Sequence, residues 1–476
     1  MTPSSTPAFI IAGTHSGVGK TTVSLAVMGG LAKQGLLVQP FKIGPDFIDA
    51  GYHHHATGRG SVNLDLWMMG WAEIAASLAR YAAGSDVAVI EAMGALHDGA
   101  DGTRRGSAAD FAHHLGLPVV LVIDVWGMTR STGAVLRGYE EFDREVEIAA
   151  IVLNRVGSPR HYEMVREALP EDIKRRVVGY LPADEGLTVP ERHLGLVTVE
   201  ENVTAAALAA ELASHATKTL DLERLTRLVK TARPLRDAAP VQPAAPEDPP
   251  AKPSSPVRIG LARDASFCFY YRDNLRRLHA EGAELVPFSP MGDSRLPTGL
   301  DGLYFGGGYP ESFAAELAAN QGLCEDVRRF AAKGLPIYGE CGGMMYLGTG
   351  LVDFDGKRYP MSGVLPVEVA MDRKHLAIRY VDVETTRDSL LGPVGTKARG
   401  QEFHQSRIVS ADLEADCFSV RDSTGAPSTA GFAAGGTLGS YIHLHFASNP
   451  GIPRWFVGRC RQGQPAGGGG EPVPPQ

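Results

Sequence analysis

A cysteine in a glycine-rich turn is the most reactive candidate in the chain. Cys341 lies within residues 339–343 (GECGG), between the apolar run Leu335–Tyr338 and the apolar start of a helix. A nucleophile on a tight strand-to-helix turn needs small neighbours, and the helix N-terminus lowers the pKa of its thiol. Cys341 is therefore predicted to be a catalytic nucleophile that attacks an acyl carbon.

A thiol nucleophile needs a base, and the late segment GSYIHLHF offers two histidines. His443 and His445 are two residues apart in a predicted strand, so both side chains are expected on one face. Spacing alone does not decide between them. The N–H groups of Gly307, Gly308 and Gly342 are the expected oxyanion donors, because these glycines follow either another predicted strand or the nucleophile itself.

A second reactive segment lies near the N-terminus, where the apolar run Phe9–Ala12 leads into GTHSGVGKTT and a predicted helix. Backbone N–H groups and the helix dipole of such a loop face a polyphosphate. Lys20 can reach the outer phosphates, and the Thr21 hydroxyl can ligate Mg²⁺. Thr14 occupies the first glycine position of the usual pattern. No guanine-reading N-K-x-D motif is apparent, so ATP is the expected nucleotide. The residues predicted to bind it are Gly17, Val18, Gly19, Lys20, Thr21 and Thr22.

Acidic side chains follow two further apolar runs. One run ends at Lys42 and leads into Asp46 and Asp49, and the next ends directly at Glu91, with Asp98 shortly after. The carboxyl ends of parallel strands form the ligand crevice of an open sheet. We therefore expect Asp46 and Glu91 to join the loop threonine in holding Mg²⁺. Lys42, Asp46, Asp49 and Asp98 are expected to contact phosphate or the acceptor substrate. Helix capping or turn formation is the alternative role for Asp49 and Asp98.

The composition is that of a soluble globular protein. Of 476 residues, 44% are hydrophobic and 21% are charged, and the net charge of −8 argues against a general nucleic-acid binder. The five cysteines include no C-x-x-C pair, which indicates a reducing setting. No secretion signal and no membrane-spanning apolar stretch are visible. We expect a cytoplasmic protein with neither a membrane nor a nucleic-acid partner, and a homodimer is left open.

The chain divides at a proline- and alanine-rich stretch. We predict an N-terminal domain over residues 1–232, a linker over 233–256, a second domain over 257–462 and a disordered tail over 463–476. An insertion inside one domain is the alternative reading of the stretch. In both domains short apolar runs alternate with amphipathic stretches, which predicts two domains of the α/β class with parallel sheets. The predicted strands are Phe9–Ala12, Leu37–Phe41, Val87–Ile90, Val119–Ile123, Ile148–Leu153, Val257–Leu261, Glu284–Phe288, Gly302–Phe305 and Leu335–Tyr338. The predicted helices include Thr21–Gln34, Ala72–Ala82, Arg272–Glu281 and Phe313–Lys333.

Together these segments resemble the cobyrinate a,c-diamide synthase family, over nearly the whole chain apart from the linker and tail. The segments that carry the resemblance are GTHSGVGKTT, KIGPDFIDAGYH, NLDLWM, GGGYPE, YGECGGMMYLG and GSYIHLHF. Jointly they are highly specific, whereas the phosphate loop alone would not be.

The resemblance implies an N-terminal ATP-dependent synthetase domain, similar to dethiobiotin synthetase, and a C-terminal class I glutamine amidotransferase-like domain. Cys341 would attack the glutamine side chain and release ammonia. Lys20 and Thr21, with Mg²⁺ held by Asp46 and Glu91, would phosphorylate an acetate side chain of a modified tetrapyrrole. Ammonia would then displace phosphate. The expected acceptors are the a and c acetates of cobyrinate or hydrogenobyrinate, in the cobalamin pathway.

Three departures from the family pattern bear on these expectations. The resemblance favours His443 as the base, but His445 stands where class I amidotransferases usually have a glutamate, so the third member of the site is missing or supplied otherwise. Gln405 replaces a common tyrosine, and the residues after Glu91 also differ. A related enzyme that amidates a sirohydrochlorin-type ring is therefore a live alternative.

Two other classes compete with the ligase. A partitioning-type ATPase, which switches by dimerising, would carry a signature lysine where this chain has His15, and it would not need the Cys341 domain. An amidotransferase-like binding module without chemistry is the second rival. The intact turn over residues 339–343 argues against it, and the missing glutamate argues for it.

Overall fold

The computed structural model describes residues 6–100, 102–189, 204–231 and 256–463. The chain forms two compact units, residues 1–245 and 246–476. The predicted linker over 233–256 lies outside the described residues except for Pro256. The predicted tail over 463–476 does so except for Gly463. The domain boundaries drawn from the sequence stay predictions.

The N-terminal unit is built on one parallel sheet of seven strands, in the order β3-β2-β4-β1-β5-β6-β7. Its strands are β1 (Ala8–Gly13), β2 (Val38–Ile43), β3 (Val62–Leu64), β4 (Val87–Ala95), β5 (Val119–Asp124), β6 (Ile148–Val156) and β7 (Val177–Pro182). Its helices are α1 (Lys20–Lys33), α2 (Ile48–Thr57), α3 (Leu66–Ala82), α4 (Ala108–Leu115), α5 (Ser131–Phe142), α6 (Pro159–Glu167), α7 (Glu171–Lys174), α8 (Ala205–Thr219) and α9 (Leu222–Thr231), with a 3₁₀ turn at Glu185–Leu187.

Strand β1 lies at the centre of this sheet, paired with β4 and β5. Its apolar residues are buried because central strands of a parallel sheet are covered on both faces. Helix α1 packs closely on α8, since a Cβ added at Gly29 would lie 2.8 Å from the Cβ of Ala213. The register sets Glu91 of β4 between Ile11 of β1 and Lys42 of β2. The sheet itself therefore places Lys42 beside Glu91.

The C-terminal unit contains a six-stranded sheet in the order β20-β21-β11-β10-β8-β9, in which the β20–β21 pair is antiparallel and the other pairs are parallel. A four-stranded sheet (β13-β12-β14-β17) and a five-stranded sheet (β19-β18-β15-β16-β22) accompany it. The strands are β8 (Val257–Ala262), β9 (Ala283–Phe288), β10 (Gly302–Phe305), β11 (Ile337–Glu340), β12 (Gly350–Val352), β13 (Arg358–Pro360), β14 (Val367–Met371), β15 (Ala377–Thr385), β16 (Lys397–His404), β17 (Ser406–Ala411), β18 (Phe418–Asp422), β19 (Pro427–Ala430), β20 (Phe432–Ala434), β21 (Thr437–Ser440) and β22 (His443–Leu444). The helices are α10 (Arg272–Ala280), α11 (Ala314–Ala319), α12 (Gln321–Ala332), α13 (Gly342–Leu347) and α14 (Gly451–Gln462), with 3₁₀ turns at Pro310–Phe313 and Phe446–Ser448.

The predicted single helix Phe313–Lys333 is wrong, because the chain breaks at Asn320. Its backbone leaves the helical region (φ −80°, ψ 63°), and its Oδ1 accepts from Leu323 N at 3.4 Å at the start of α12. Its Nδ2 donates to the carbonyls of Pro290 and Asp293, both at 2.8 Å. These three side-chain bonds compensate the break in the helical ladder.

The α/β class predicted from the sequence is confirmed: the N-terminal unit has a parallel sheet, and the C-terminal unit has a largely parallel six-stranded sheet. Within the part of the chain that the structure describes, no helix is both long enough and apolar enough to cross a bilayer.

Candidate active sites

The phosphate loop joins β1 to α1 and is braced from three other elements. Thr14 N donates to the carbonyl of Val122 on β5 at 3.1 Å, and the Thr14 carbonyl accepts from the Tyr139 hydroxyl of α5. The amide of Asn154, on β6, donates to the carbonyl of Val18 at 2.9 Å. A Cβ added at Gly19 (φ 87°) would lie 2.1 Å from Asn154 Nδ2, so only glycine fits there. These contacts from β5, α5 and β6 fix the backbone of the loop.

The predicted nucleotide residues divide by exposure. Gly17 is exposed with a φ of 78°, and Lys20, Thr21 and Thr22 are partly buried in the first turn of α1. Val18 is different: its side chain is fully buried, so only its backbone can face a phosphate. Burial and the positive charge of Lys42 lower the pKa of Lys20.

An ionic network centred on Glu91 lies beside the loop. Glu91 Oε1 accepts from the Thr21 hydroxyl at 2.8 Å and from Lys42 Nζ at 2.9 Å. Its Oε2 is bonded to His53 Nε2 at 2.8 Å. Lys42 Nζ also donates to Asp49 Oδ2 at 2.5 Å. The structure thus brings together Lys42, Asp49, Glu91 and Thr21, all of which the sequence predicted for this site.

The electrostatics of this network follow from burial and pairing. Burial alone would lower the pKa of Lys42, but Asp49 and Glu91 raise it well above its usual range. Burial alone would raise the pKa of Glu91, but Lys42 and His53 hold it well below its usual range. Glu91 is therefore ionised and Lys42 protonated at neutral pH.

Asp46 and Asp98 occupy the margins of the network. Asp46 Oδ1 accepts from Ile48 N at 2.7 Å in a turn that leads into α2, and burial together with Asp49 raises the pKa of its carboxyl group. Asp98 is exposed, yet its charge acts on Lys20. Asp98 is thus near the phosphate loop, whereas Asp46 is near Lys42 and Asp49 and also has a structural role.

The donor set fits a Mg²⁺–nucleotide complex. Mg²⁺ usually takes only one or two protein ligands and completes its shell with phosphate oxygens and water. The Thr21 hydroxyl gives its one hydrogen to Glu91, which leaves its lone pairs for a cation. Among the described residues, no group of three or more His, Cys, Asp or Glu side chains could hold a metal ion unaided.

Replacing Glu91 by glutamine should strongly destabilise the N-terminal unit. The change leaves the buried Lys42 cation with one carboxylate partner instead of two, and breaking a buried pair costs about 3–5 kcal/mol. Urea unfolding followed by tryptophan fluorescence measures the loss, since Trp67, Trp71 and Trp126 all lie in this unit. The control is Glu145→Gln, which removes an exposed partner of Arg104 and should leave the free energy of unfolding almost unchanged, because exposed ion pairs contribute little. Equal effects of the two changes would contradict this account of the network.

The nucleophile turn of the C-terminal unit has the strained backbone expected of it. Cys341 lies between β11 and α13 with φ 48° and ψ −107°, a conformation that costs a non-glycine residue roughly 1–3 kcal/mol. Its N–H donates to the carbonyl of Ser440 at 2.7 Å. A Cβ added at Gly343 would lie 2.2 Å from the carbonyl oxygen of Phe305, so the turn needs glycine there. Such strain at a single cysteine indicates a functional position.

The glycines after β10 lie beside both catalytic candidates. A Cβ added at Gly307 would lie 2.3 Å from His443 Cε1, and one added at Gly342 would lie 3.2 Å from the nitrogen of Gly308. The N–H of Gly307 donates to the carbonyl of Phe269 at 3.2 Å, so it is engaged in this conformation. The N–H of Gly307 is thus less suited to bind an oxyanion than those of Gly308 and Gly342, whose role stays a prediction, and the missing side chain of Gly307 makes room for His443.

The two histidines differ in their surroundings. His443 is on β22, whereas His445 lies after the strand and caps the 3₁₀ turn that follows, its Nδ1 accepting from Ala447 N at 3.2 Å. The assigned strand ends at Leu444, and His445 continues it in an extended conformation, with its N–H donating to the carbonyl of Arg399 at 3.1 Å, so the expectation of a shared face stays a prediction. Contact with Gly307 favours His443 as the base.

Thiol and imidazole are both neutral at rest. Burial, with a contribution from Glu311, raises the pKa of the Cys341 thiol, which is only 5% exposed. Burial and the charge of His404 lower the pKa of His443 to about 3. A neutral imidazole can accept the thiol proton, but no thiolate–imidazolium pair forms in advance.

Alkylation of resting Cys341 by iodoacetamide should therefore be slow at neutral pH. Because the thiol pKa is raised, the thiolate fraction keeps growing above about pH 10, where that of a free cysteine has levelled off. Mass mapping of the Cys341 peptide across a pH series, with free cysteine in parallel, measures this. If the alkylation rate of Cys341 levelled off with a midpoint near neutral pH, the thiolate would already be present at rest, which would contradict the neutral resting state.

Three buried residues of these sites were missed in the sequence. Asn154 braces the phosphate loop, His53 bonds both Glu91 and Ser61, and Glu340 links the nucleophile turn to the histidine segment. A polar residue at the carboxyl end of an apolar run was the available signal for Asn154 and Glu340. No pattern separates buried His53 from its exposed neighbours, since its partners come from other elements.

Comparison with known proteins covers both units. Residues 9–197 match the family described as the CobQ/CobB/MinD/ParA nucleotide binding domain. Residues 258–451 match the CobB/CobQ-like glutamine amidotransferase domain. A cobyrinate a,c-diamide synthase of Caldanaerobacter subterraneus subsp. tengcongensis is 41% identical over 453 residues, which covers 95% of this chain and 98% of that protein. The chain belongs to the cobyrinate a,c-diamide synthase family.

Other members of the cobyrinate a,c-diamide synthase family match equally end to end. One from Syntrophotalea carbinolica is 40% identical, covering 96% of this chain and 99% of that protein. One from Dehalococcoides mccartyi is 39% identical, covering 95% and 97%. The family resemblance read from the sequence is thereby confirmed, and the two sites belong to the two matched domains.

Proposed function

We propose that this protein is an ATP- and glutamine-dependent carbon–nitrogen ligase that amidates the a and c acetate carboxylates of cobyrinate or hydrogenobyrinate. The observation that carries the proposal is the end-to-end similarity to proteins named cobyrinate a,c-diamide synthase. The side chains that the chemistry requires are present in both units. The reaction belongs to the cobalamin pathway.

Glutamine is the nitrogen donor, hydrolysed in the C-terminal unit. Cys341 Sγ attacks the side-chain amide carbon while His443 takes the thiol proton. The N–H groups of Gly308 and Gly342 stabilise the oxyanion. The C–N bond breaks, and ammonia leaves with the proton returned by His443. Water then attacks the thioester, releasing glutamate and restoring the thiol.

ATP activates the acceptor in the N-terminal unit. A carboxylate oxygen of the ring side chain attacks the γ-phosphorus, giving an acyl phosphate and ADP. Lys20 stabilises the charge that spreads over the transferred phosphoryl group. Thr21, Asp46 and Glu91 are the residues that would hold Mg²⁺, which would neutralise phosphate charge when bound. Lys42, Asp49 and Asp98 are the remaining groups for phosphate and acceptor. Ammonia then attacks the acyl carbon and phosphate leaves, giving the amide.

The substrate is tested by supplying rings separately. Purified protein receives ATP, Mg²⁺ and glutamine with cobyrinate, hydrogenobyrinate or a sirohydrochlorin-type acid, and product masses are read. The proposal expects a diamide of cobyrinate or hydrogenobyrinate. If only the sirohydrochlorin-type acid gave a diamide, that ring would be the substrate instead. Gln405, where the family commonly has a tyrosine, is the reason to include it.

The acyl phosphate is tested with oxygen-labelled acceptor. If the ring carboxylates carry ¹⁸O, the bridging oxygen stays with phosphorus when ammonia attacks carbon. Each amide formed should therefore place one ¹⁸O in inorganic phosphate. Amide formation with unlabelled phosphate would reject this intermediate while leaving the ligase assignment in place.

A further inference from the structure

The third member of the Cys341–His443 site is not supplied by the residue two positions after the base. His445 Nδ1 accepts a hydrogen bond from its own turn, at Ala447 N. Burial lowers the pKa of His445 to about 4, so the ring is neutral, with its proton on Nε2. It therefore cannot act as the carboxylate that orients a catalytic histidine in related amidotransferases.

A buried carboxylate reaches the histidine segment from the other side. Glu340 immediately precedes Cys341 and is 2% exposed. Its Oε1 accepts from Leu444 N at 3.2 Å and from the Tyr338 hydroxyl at 2.7 Å, and its Oε2 accepts from the Tyr304 hydroxyl at 2.9 Å. Burial raises the pKa of Glu340 to about 7, although these three donors oppose the shift.

The same residue, Leu444, is held a second time, through its carbonyl, by Asn274 of α10. Its Nδ2 donates to the carbonyl of Leu444 at 2.7 Å, and its Oδ1 accepts from Phe446 N at 2.7 Å. Asn274 is fully buried. The N–H and the C=O of Leu444 are therefore both fixed by buried side chains, Glu340 on one side and Asn274 on the other.

The covalent neighbours of Glu340 and Leu444 explain what their hydrogen bond does. Glu340 is covalently next to the nucleophile, and Leu444 is covalently next to the base. The hydrogen bond between them therefore sets the position of His443 relative to Cys341. We propose that Glu340, assisted by Asn274, is the positioning residue that replaces the missing carboxylate, acting on His443 through the Leu444 peptide. The proposal rests on the glutaminase reaction proposed above.

The role is geometric, so a neutral amide should serve in place of the carboxylate. In Glu340→Gln the amide oxygen can accept from Leu444 N and Tyr338, while the amide nitrogen donates to the Tyr304 hydroxyl, which accepts as readily as it donates. Glu340→Leu keeps the bulk but removes every acceptor. The two variants separate hydrogen bonding from side-chain volume and from charge.

The test measures kcat and KM for glutamine in the full-length protein. Glu340→Leu should lose about 10²-fold in kcat, as expected for a misplaced base, with KM for glutamine and the ammonia-dependent rate unchanged. Glu340→Gln should stay close to wild type. Wild-type kcat in Glu340→Leu would overturn the proposal. Equal losses in both variants would also overturn it, because charge rather than geometry would then matter.

Two further variants keep the test decisive. Thr385→Val removes buried hydrogen bonds to Pro393 and from Thr396 elsewhere in this unit, and should lower Tm without lowering kcat. Asn274→Asp preserves the side-chain shape but places a carboxylate oxygen against the Leu444 carbonyl, so it should lower kcat with glutamine. This second variant tests the same contact if Glu340→Leu fails to fold. An unchanged kcat in folded Asn274→Asp would overturn the proposed positioning of His443 through Leu444. If Cys341→Ala kept glutamine-dependent activity, the proposed glutaminase itself would fail instead.

Discussion

Replacing Cys341 by alanine should abolish amidation with glutamine and leave amidation with ammonia intact. Cys341 lies on the nucleophile turn with a positive φ, a strained backbone conformation that none of the other four cysteines, all of them described, adopts. Without its sulfur the glutamine amide has no attacking group, and loss of an activated nucleophile costs about 10⁴-fold or more. Free ammonia bypasses this step, because the phosphate loop and its acids belong to the other unit.

The matched control is Cys324→Ala. Cys324 is a fully buried thiol of the same unit, in weak contact with the Tyr346 hydroxyl at 3.5 Å. The change should lower stability modestly and leave both rates near wild type. Initial rates with each nitrogen donor measure the effect. Glutamine-dependent amidation surviving in Cys341→Ala would remove the cysteine from the mechanism, and loss of the ammonia rate would show general damage.

Replacing Lys20 by alanine should give the opposite pattern, with loss of amidation from either nitrogen donor. Lys20 begins α1 at the end of the phosphate loop, and in the proposed reaction its charge would stabilise the phosphoryl group in transfer. Removing one such electrostatic group costs roughly 10²–10³ in kcat. The side chain is partly buried, and the acids around Glu91 keep Lys42 as a partner, so the fold should survive.

Lys33→Ala provides the comparison within the same helix. Lys33 lies in the last turn of α1, where its ammonium donates to the exposed Ser214 hydroxyl at 2.9 Å. Its loss should leave both rates unchanged. Steady-state rates with saturating glutamine and with saturating ammonia are compared for each variant. If Lys20→Ala still amidated the ring with ammonia at the wild-type rate, the phosphate loop would not take part in activating the acceptor carboxylate.

The parts predictable from the sequence were those with local signals. The strand, loop and helix around Lys20 follow from glycine spacing beside an apolar run, and the turn at Cys341 follows in the same way. The proximity of Lys42 and Glu91, 49 positions apart, combines two local signals, because each follows an apolar run and the two strands are neighbours in the sheet. Each separate signal comes from residues close together in the chain.

The parts that escaped prediction depend on contacts between distant segments. Asn154 meets the loop at Val18 across 136 positions, and Glu340 meets Leu444 across 104. The break at Asn320 depends on carbonyls of another loop, at Pro290 and Asp293. The helical periodicity of the sequence continues across Asn320, so it predicted a single helix there. The two smaller sheets contain short, half-exposed strands such as Arg358–Pro360, whose pattern is too brief for a periodicity argument.

The central claim is that nitrogen from glutamine ends in an amide of the ring, driven by ATP. It is tested most directly with glutamine labelled with ¹⁵N in the side-chain amide, supplied with ATP, Mg²⁺ and cobyrinate. The account predicts a cobyrinate diamide that carries two labelled nitrogens, with glutamate and phosphate formed alongside. ATP hydrolysis with no amidation of cobyrinate, or of hydrogenobyrinate and a sirohydrochlorin-type acid supplied in its place, would contradict the ligase and favour an ATPase switch.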